Sequence, residues 1–112
     1  MSAERLPSVV EKPCVLVIED EPIQRRLARA AIERYGMRVV EALDGPSGLE
    51  AFQRAKPDIV LLDVVMPGLD GFTVCTRLRA LEPSATTPVL IMTALDDTAS
   101  IERAYECGAT DF

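Results

Sequence analysis

The feature that most constrains this chain is a four-residue apolar run closed by a carboxylate, Ile59-Val60-Leu61-Leu62-Asp63. Four consecutive branched apolar residues read as a strand covered on both faces, the environment of a parallel sheet. A carboxylate at the end of such a strand must be solvated at its carboxyl end, paired, or bound to a metal. In an open α/β sheet that end is where ligands bind.

The rest of the 112-residue sequence repeats the theme. Cys14-Val15-Leu16-Val17-Ile18 reads as a buried strand that ends in Glu19-Asp20-Glu21. Pro22 suits the first turn of a helix. Ile23, Leu27, Ala30 and Ala31 recur at helical spacing and are expected on the buried face, with Arg25, Arg26, Arg29 and Glu33 on other faces and Gly36 as the stop. Residues 37–42 read as a second strand. Asp44-Gly45-Pro46 is turn chemistry, and residues 47–55 read as a helix. After the third strand, 59–63, a helix is expected over 71–81, with Phe72, Val74, Cys75, Leu78 and Leu81 on its apolar face. Residues 88–92 form a fourth buried strand ending at Thr93, and 96–107 a fourth helix closed by Gly108. Asp111-Phe112 reads as the start of a fifth strand. Strands alternating with helices predict a parallel sheet with helices on both faces and right-handed crossovers. Residues 1–12 read as a flexible leader, and 13–112 as one domain.

Composition removes several function classes. The formal charge of -6 leaves no basic stripe to neutralise phosphates, so direct nucleic-acid binding by this segment is not expected. No apolar stretch approaches a membrane span and no signal-peptide core is visible, so neither membrane insertion nor export is expected. Cys14, Cys75 and Cys107 are odd in number and show no metal or disulfide spacing, which fits reduced, buried thiols in a cytoplasmic compartment. The absence of histidine excludes His triads and His-metal sites from this chain.

Three strand ends carry the chemistry: Glu19 and Asp20, then Asp63, then Thr93. In a parallel sheet they share one rim, and if the first and third strands are neighbours the acids converge. Carboxylates without nitrogen or sulfur ligands suit a hard cation that keeps its waters, Mg2+ best. A carboxylate beside such an ion and near a Thr hydroxyl can accept a phosphoryl group. Taken singly, Glu19 and Asp20 read equally as caps of the following helix, and Asp70-Gly71 as an ordinary turn.

Four segments together resemble the receiver domain of two-component response regulators. They are Val17-Ile18-Glu19-Asp20-Glu21-Pro22, the run from Leu61-Leu62-Asp63 through Met66-Pro67-Gly68-Leu69-Asp70-Gly71, Ile91-Met92-Thr93-Ala94, and Gly108-Ala109-Thr110-Asp111-Phe112. The resemblance covers about residues 13–112. It implies a flavodoxin-like (βα)5 doubly wound parallel sheet of strand order 2-1-3-4-5. It implies that Asp63 is the phosphoacceptor and that Glu19, Asp20, Asp63 and the main-chain carbonyl of Val65 bind Mg2+ or Mn2+. It makes Thr93 the switch hydroxyl, Ala94 N–H a phosphate contact and Phe112 the aromatic switch position. The implied partners are a histidine kinase or a histidine phosphotransfer protein, with a C-terminal output domain in the parent protein. The family's lysine, followed by proline, falls three residues beyond the position of Phe112. Lys12 and Lys56 match no such position, so the catalytic lysine is expected to be absent from this chain, along with most of strand 5 and helix 5.

Two other classes fit less well. A haloacid-dehalogenase-type enzyme usually has a second acid two residues after its nucleophile, where this chain has Val65. A flavin carrier of the same fold needs a phosphate loop after the first strand, and Glu19-Asp20-Glu21 would repel a phosphate. The expectation is therefore a signalling switch in a phosphorelay, not an enzyme.

Overall fold

The structure, a computed structural model, describes residues 12–63, 70–81, 86–92, 102, 106 and 108. Along the chain run β1 (Cys14–Ile18), α1 (Pro22–Glu33), β2 (Arg38–Ala42), α2 (Gly45–Ala55), β3 (Ile59–Asp63), α3 (Gly71–Leu81) and β4 (Val89–Met92). Every strand pairing is parallel, and the order is β2-β1-β3-β4. This is the α/β sheet that the alternation predicts, in the order 2-1-3-4. The expected beginning of a fifth strand at 111–112 and most of the helix expected over 96–107 lie outside the described residues. Glu102 and Glu106 are helical, and Gly108 takes φ +97°, as a helix-closing glycine does.

Alternation along the strands divides the core in two. Leu16, Ile18, Val60, Leu62, Val89 and Ile91 face α2 and α3, where Ala51, Phe52, Phe72, Val74, Cys75 and Leu78 meet them. Val15, Val17 and Val39 face the other way, onto Ile32 and Ala28 of α1. Cys14 and Cys75 are buried free thiols, as expected for small apolar fillers, and Cys107 lies outside the described residues.

Two local readings are corrected. Helix α2 starts at Gly45, not Ser47, because Asp44 is its N-cap. Asp44 Oδ1 accepts from Ser47 N–H at 2.8 Å and Ser47 Oγ accepts from Asp44 N–H at 3.3 Å, a reciprocal cap that recruits the Gly-Pro pair into the first turn. The larger correction concerns α1. Ile23 and Leu27, expected on its buried face, are 62% and 61% exposed, and Ala30 and Ala31 are exposed beside them. The sheet side instead carries Ala28 and Ile32, flanked by Arg25 and Arg29, whose guanidinium groups reach Glu41 of β2.

Candidate acidic site at the strand ends

The chain leaves β1 for β2 on one side and reaches β3 on the other, so the carboxyl ends of β1 and β3 flank the point where the winding reverses. Ile18 is level with Leu62 across that seam, so the next residues, Glu19 and Asp63, come abreast. Glu19 is still tied to the sheet, its N–H donating to Ala42 O at 3.1 Å. Asp20 follows on the turn into α1. The fold thus brings two adjacent carboxylates to a third more than 40 residues further along the sequence: Glu19, Asp20 and Asp63 each offer an oxygen, all within 4.8 Å of one another.

Helix α1 begins immediately after this turn. Its N-cap is Glu21, whose Oε1 accepts from Gln24 N–H at 2.8 Å, and Pro22 occupies the first turn. The capping role left open for Glu19 and Asp20 therefore falls to Glu21. A corresponding device starts α3, where Asp70 Oδ1 accepts from Thr73 N–H at 3.0 Å.

Glu19 is the one buried charged side chain, 7% exposed, among the described residues. Burial pushes its carboxyl from 4.5 up to about 7. The N–H of Glu21, donating to Glu19 Oε2 at 3.1 Å, works the other way. The neighbouring Asp63 and Asp20 raise it further. A carboxyl so placed holds a proton near neutrality unless a cation arrives to replace it.

The donor set fits a hard divalent cation. It consists of oxygens only, with one buried acid and two half-buried acids facing one point. A hard divalent cation there would be held by these three carboxylates, with water completing its shell. Of the other sequence-derived site residues, Val65, Thr93, Ala94 and Phe112 lie outside the described residues.

Sequence reasoning missed Arg25 and Glu41. Arg25 NH1 donates to the main-chain oxygens of Glu19 at 3.0 Å and Asp20 at 3.4 Å, and its Nε to Glu41 Oε1 at 3.1 Å. Nothing in the local pattern marks this contact, because Glu41 is 16 residues away in sequence.

Known proteins share both sequence and fold with this chain. Residues 15–112 match the family described as the response regulator receiver domain. The transcriptional regulatory protein CseB of Streptomyces avermitilis is 41% identical over 104 residues, which are 93% of this chain and 43% of CseB. The response regulator PleD of Caulobacter vibrioides is 42% identical over 98 residues, 88% of this chain and 22% of PleD. The chain thus spans less than half the length of these curated relatives. Among solved structures, the chemotaxis protein CheY4 of Vibrio cholerae superposes with a TM-score of 0.86 at 27% identity, over 90% of this chain and 84% of that one. The activated N-terminal receiver domain of Klebsiella pneumoniae RstA gives 0.81 at 35% identity, over 88% and 81%. A parallel sheet wound in the order 2-1-3-4, an acidic cluster at its reversal point and this match over nearly the whole sequence agree: the chain belongs to the response regulator receiver domains of two-component signalling systems.

Proposed function

We propose that residues 13–112 act as a phosphoacceptor switch, with Asp63 taking a phosphoryl group from the phosphohistidine of a histidine kinase or phosphotransfer protein. The observation that carries this reading is the convergence of Glu19, Asp20 and Asp63 at the carboxyl ends of β1 and β3. Asp63 ends a strand, so its backbone is fixed by the sheet while its carboxylate reaches the rim. A carboxylate oxygen of Asp63 attacks phosphorus, the P–N bond to the imidazole breaks, and the departing ring nitrogen takes up a proton. The product is an acyl phosphate on Asp63. Mg2+ or Mn2+, when bound, neutralises charge on the transferring oxygens. When bound, the ion would be held by Glu19, Asp20, Asp63 and the Val65 carbonyl. Thr93 and the Ala94 N–H receive the phosphoryl oxygens, and Phe112 reports the change to an output surface. With a net charge of -6, output through nucleic acid would rest with another segment of the parent protein, which acts in the cytoplasm.

The exposed stripe of α1 is the docking face for the phosphodonor protein. Ile23 and Leu27 stand one and two turns from the acidic loop, so a partner seated on them has its histidine at the rim. Exposed apolar residues contiguous with a reactive site are the pattern of a recognition surface.

In the full-length protein, acetyl phosphate with Mg2+ is expected to add a single phosphoryl group, read by intact mass and removed by hydroxylamine. Asp63→Asn is expected to abolish the addition. Unchanged labelling of that variant sinks the assignment.

A further inference from the structure

The loop from β1 to α1 has to present two adjacent acids to a third, against their mutual repulsion. Something must fix its backbone. Arg25, one turn into α1, does so with a single guanidinium. NH1 donates to Glu19 O at 3.0 Å and Asp20 O at 3.4 Å, while Nε donates to Glu41 Oε1 at 3.1 Å. Glu41 sits on β2 and pairs with Arg29 NH1 at 2.6 Å through its other oxygen. The Arg25 side chain is 15% exposed, and Glu41 is 27% exposed. The two arginine bonds hold the Glu41 carboxyl below its ordinary range, Arg29 contributing most.

We infer that Arg25, locked to β2 by Glu41, is a positioning residue for the acidic site, holding the main chain of Glu19 and Asp20 so that their carboxylates meet Asp63. The inference rests on the reading that these carboxylates take a divalent cation. The geometry needs a planar fork. One edge must face a carboxylate and another a pair of carbonyls, which the single ammonium of lysine cannot satisfy together. The role also carries a distinctive sign. Arg25 is a cation near a cation site, so its charge alone opposes metal binding, and Glu41 offsets that charge. Deleting the charge would tighten metal binding if electrostatics were the whole of its effect. Deleting the anchor loosens the loop and weakens it.

The test is Mn2+ binding to the full-length protein, read from the free-ion electron paramagnetic resonance signal, with Mg2+ in competition. Thermal melts of each variant run alongside. Arg25→Gln is expected to weaken Mn2+ roughly tenfold, the usual scale for groups that orient ligands. Arg25→Lys keeps the charge and is expected to fall well short of restoring affinity. Arg29→Gln disturbs the same Glu41 without touching the loop. It is expected to lower the melting temperature comparably and to change Mn2+ affinity less than twofold. Unchanged or tighter binding by Arg25→Gln overturns the inference, as does full rescue by Arg25→Lys or an equal loss in Arg29→Gln. Absence of Mn2+ uptake by the unmutated protein overturns the metal reading and the inference with it. Uptake that Asp63→Asn removes and Arg25→Gln preserves overturns the inference alone.

Discussion

The two faces of the sheet are built on different principles. Against α2 and α3 the packing is continuous and apolar: Leu62, Val74, Cys75 and Leu78 are at most 1% exposed, and two phenylalanines close the layer. The approach is so close at Gly48 that an added Cβ would stand 2.6 Å from Ile18 Cδ1. Against α1 the apolar contact narrows to Ala28 and Ile32, and two arginines bridge to Glu41 at the edge of the sheet. The apolar residues of α1 that could have thickened this layer point to solvent instead. One face supplies the fold's rigidity. The other exchanges burial for ion pairs, one of whose arginines also touches the acidic loop, and leaves an apolar stripe exposed.

The sharpest way to break this contrast is to truncate each face in turn. Leu78→Ala removes a side chain that is 1% exposed in the α3 layer, and a cavity there is expected to cost about 2–5 kcal/mol in urea unfolding. Arg29→Gln on the other face removes pairs whose arginine is 44% exposed, and is expected to cost under about 1 kcal/mol and to lose that effect in high salt. Equal costs would mean that the α1 layer is as much a core as the other.

An effect of intermediate size is expected from the site that the two faces frame. Glu19 titrates near 4.5 when exposed in the unfolded chain and near 7 when folded. Between these values the folded state binds more protons than the unfolded one, so stability falls as pH rises through that window. The metal-free protein is therefore expected to melt higher at pH 5 than at pH 7.5. Carboxylates that titrate low when folded, such as Glu41, give the opposite slope and act mainly below the window. Glu19→Gln should flatten the dependence between pH 5 and 7.5, and saturating Mg2+ should restore stability to the unmutated protein at the upper end. A melting temperature of the unmutated protein that rises steadily from pH 5 to 7.5 without metal would contradict this assignment.

The α2/α3 face was readable in the sequence because its signals are local. Ile59–Asp63 follows Lys56-Pro57-Asp58 and ends in a carboxylate, and Gly71–Leu81 opens directly after Asp70. The three acids were readable for the same reason, each terminating an apolar run or its turn. The α1 face was not. Its residues 23, 27, 30 and 31 and its residues 25, 28, 29 and 32 both repeat at helical spacing, and apolarity favours the first set. The choice is made by Glu41, which lies level with Val17 on the neighbouring strand and draws Arg25 and Arg29 inward. That partner is set by strand pairing, which no window of sequence around α1 contains. The start of α2 was misplaced for a smaller reason. Gly45 and Pro46 read as a turn until the reciprocal Asp44–Ser47 cap is seen.

The smallest effect on stability is expected at the stripe itself. Leu27 is 61% exposed on α1, so Leu27→Ala should shift unfolding by no more than about 0.5 kcal/mol. If the stripe receives the phosphodonor protein, the same substitution should slow transfer from that protein, and Ile23→Asp should slow it further by placing a charge in the contact. Labelling by acetyl phosphate bypasses the docking step and should stay at the unmutated rate in Leu27→Ala. Comparing the two donors on one variant separates recognition from chemistry. Equal slowing with both would locate the defect in the acidic loop next to the helix, and a large loss of stability in Leu27→Ala would return α1 to the core. Normal rates with both donors would leave the exposed apolar face of α1 without a part in recognition.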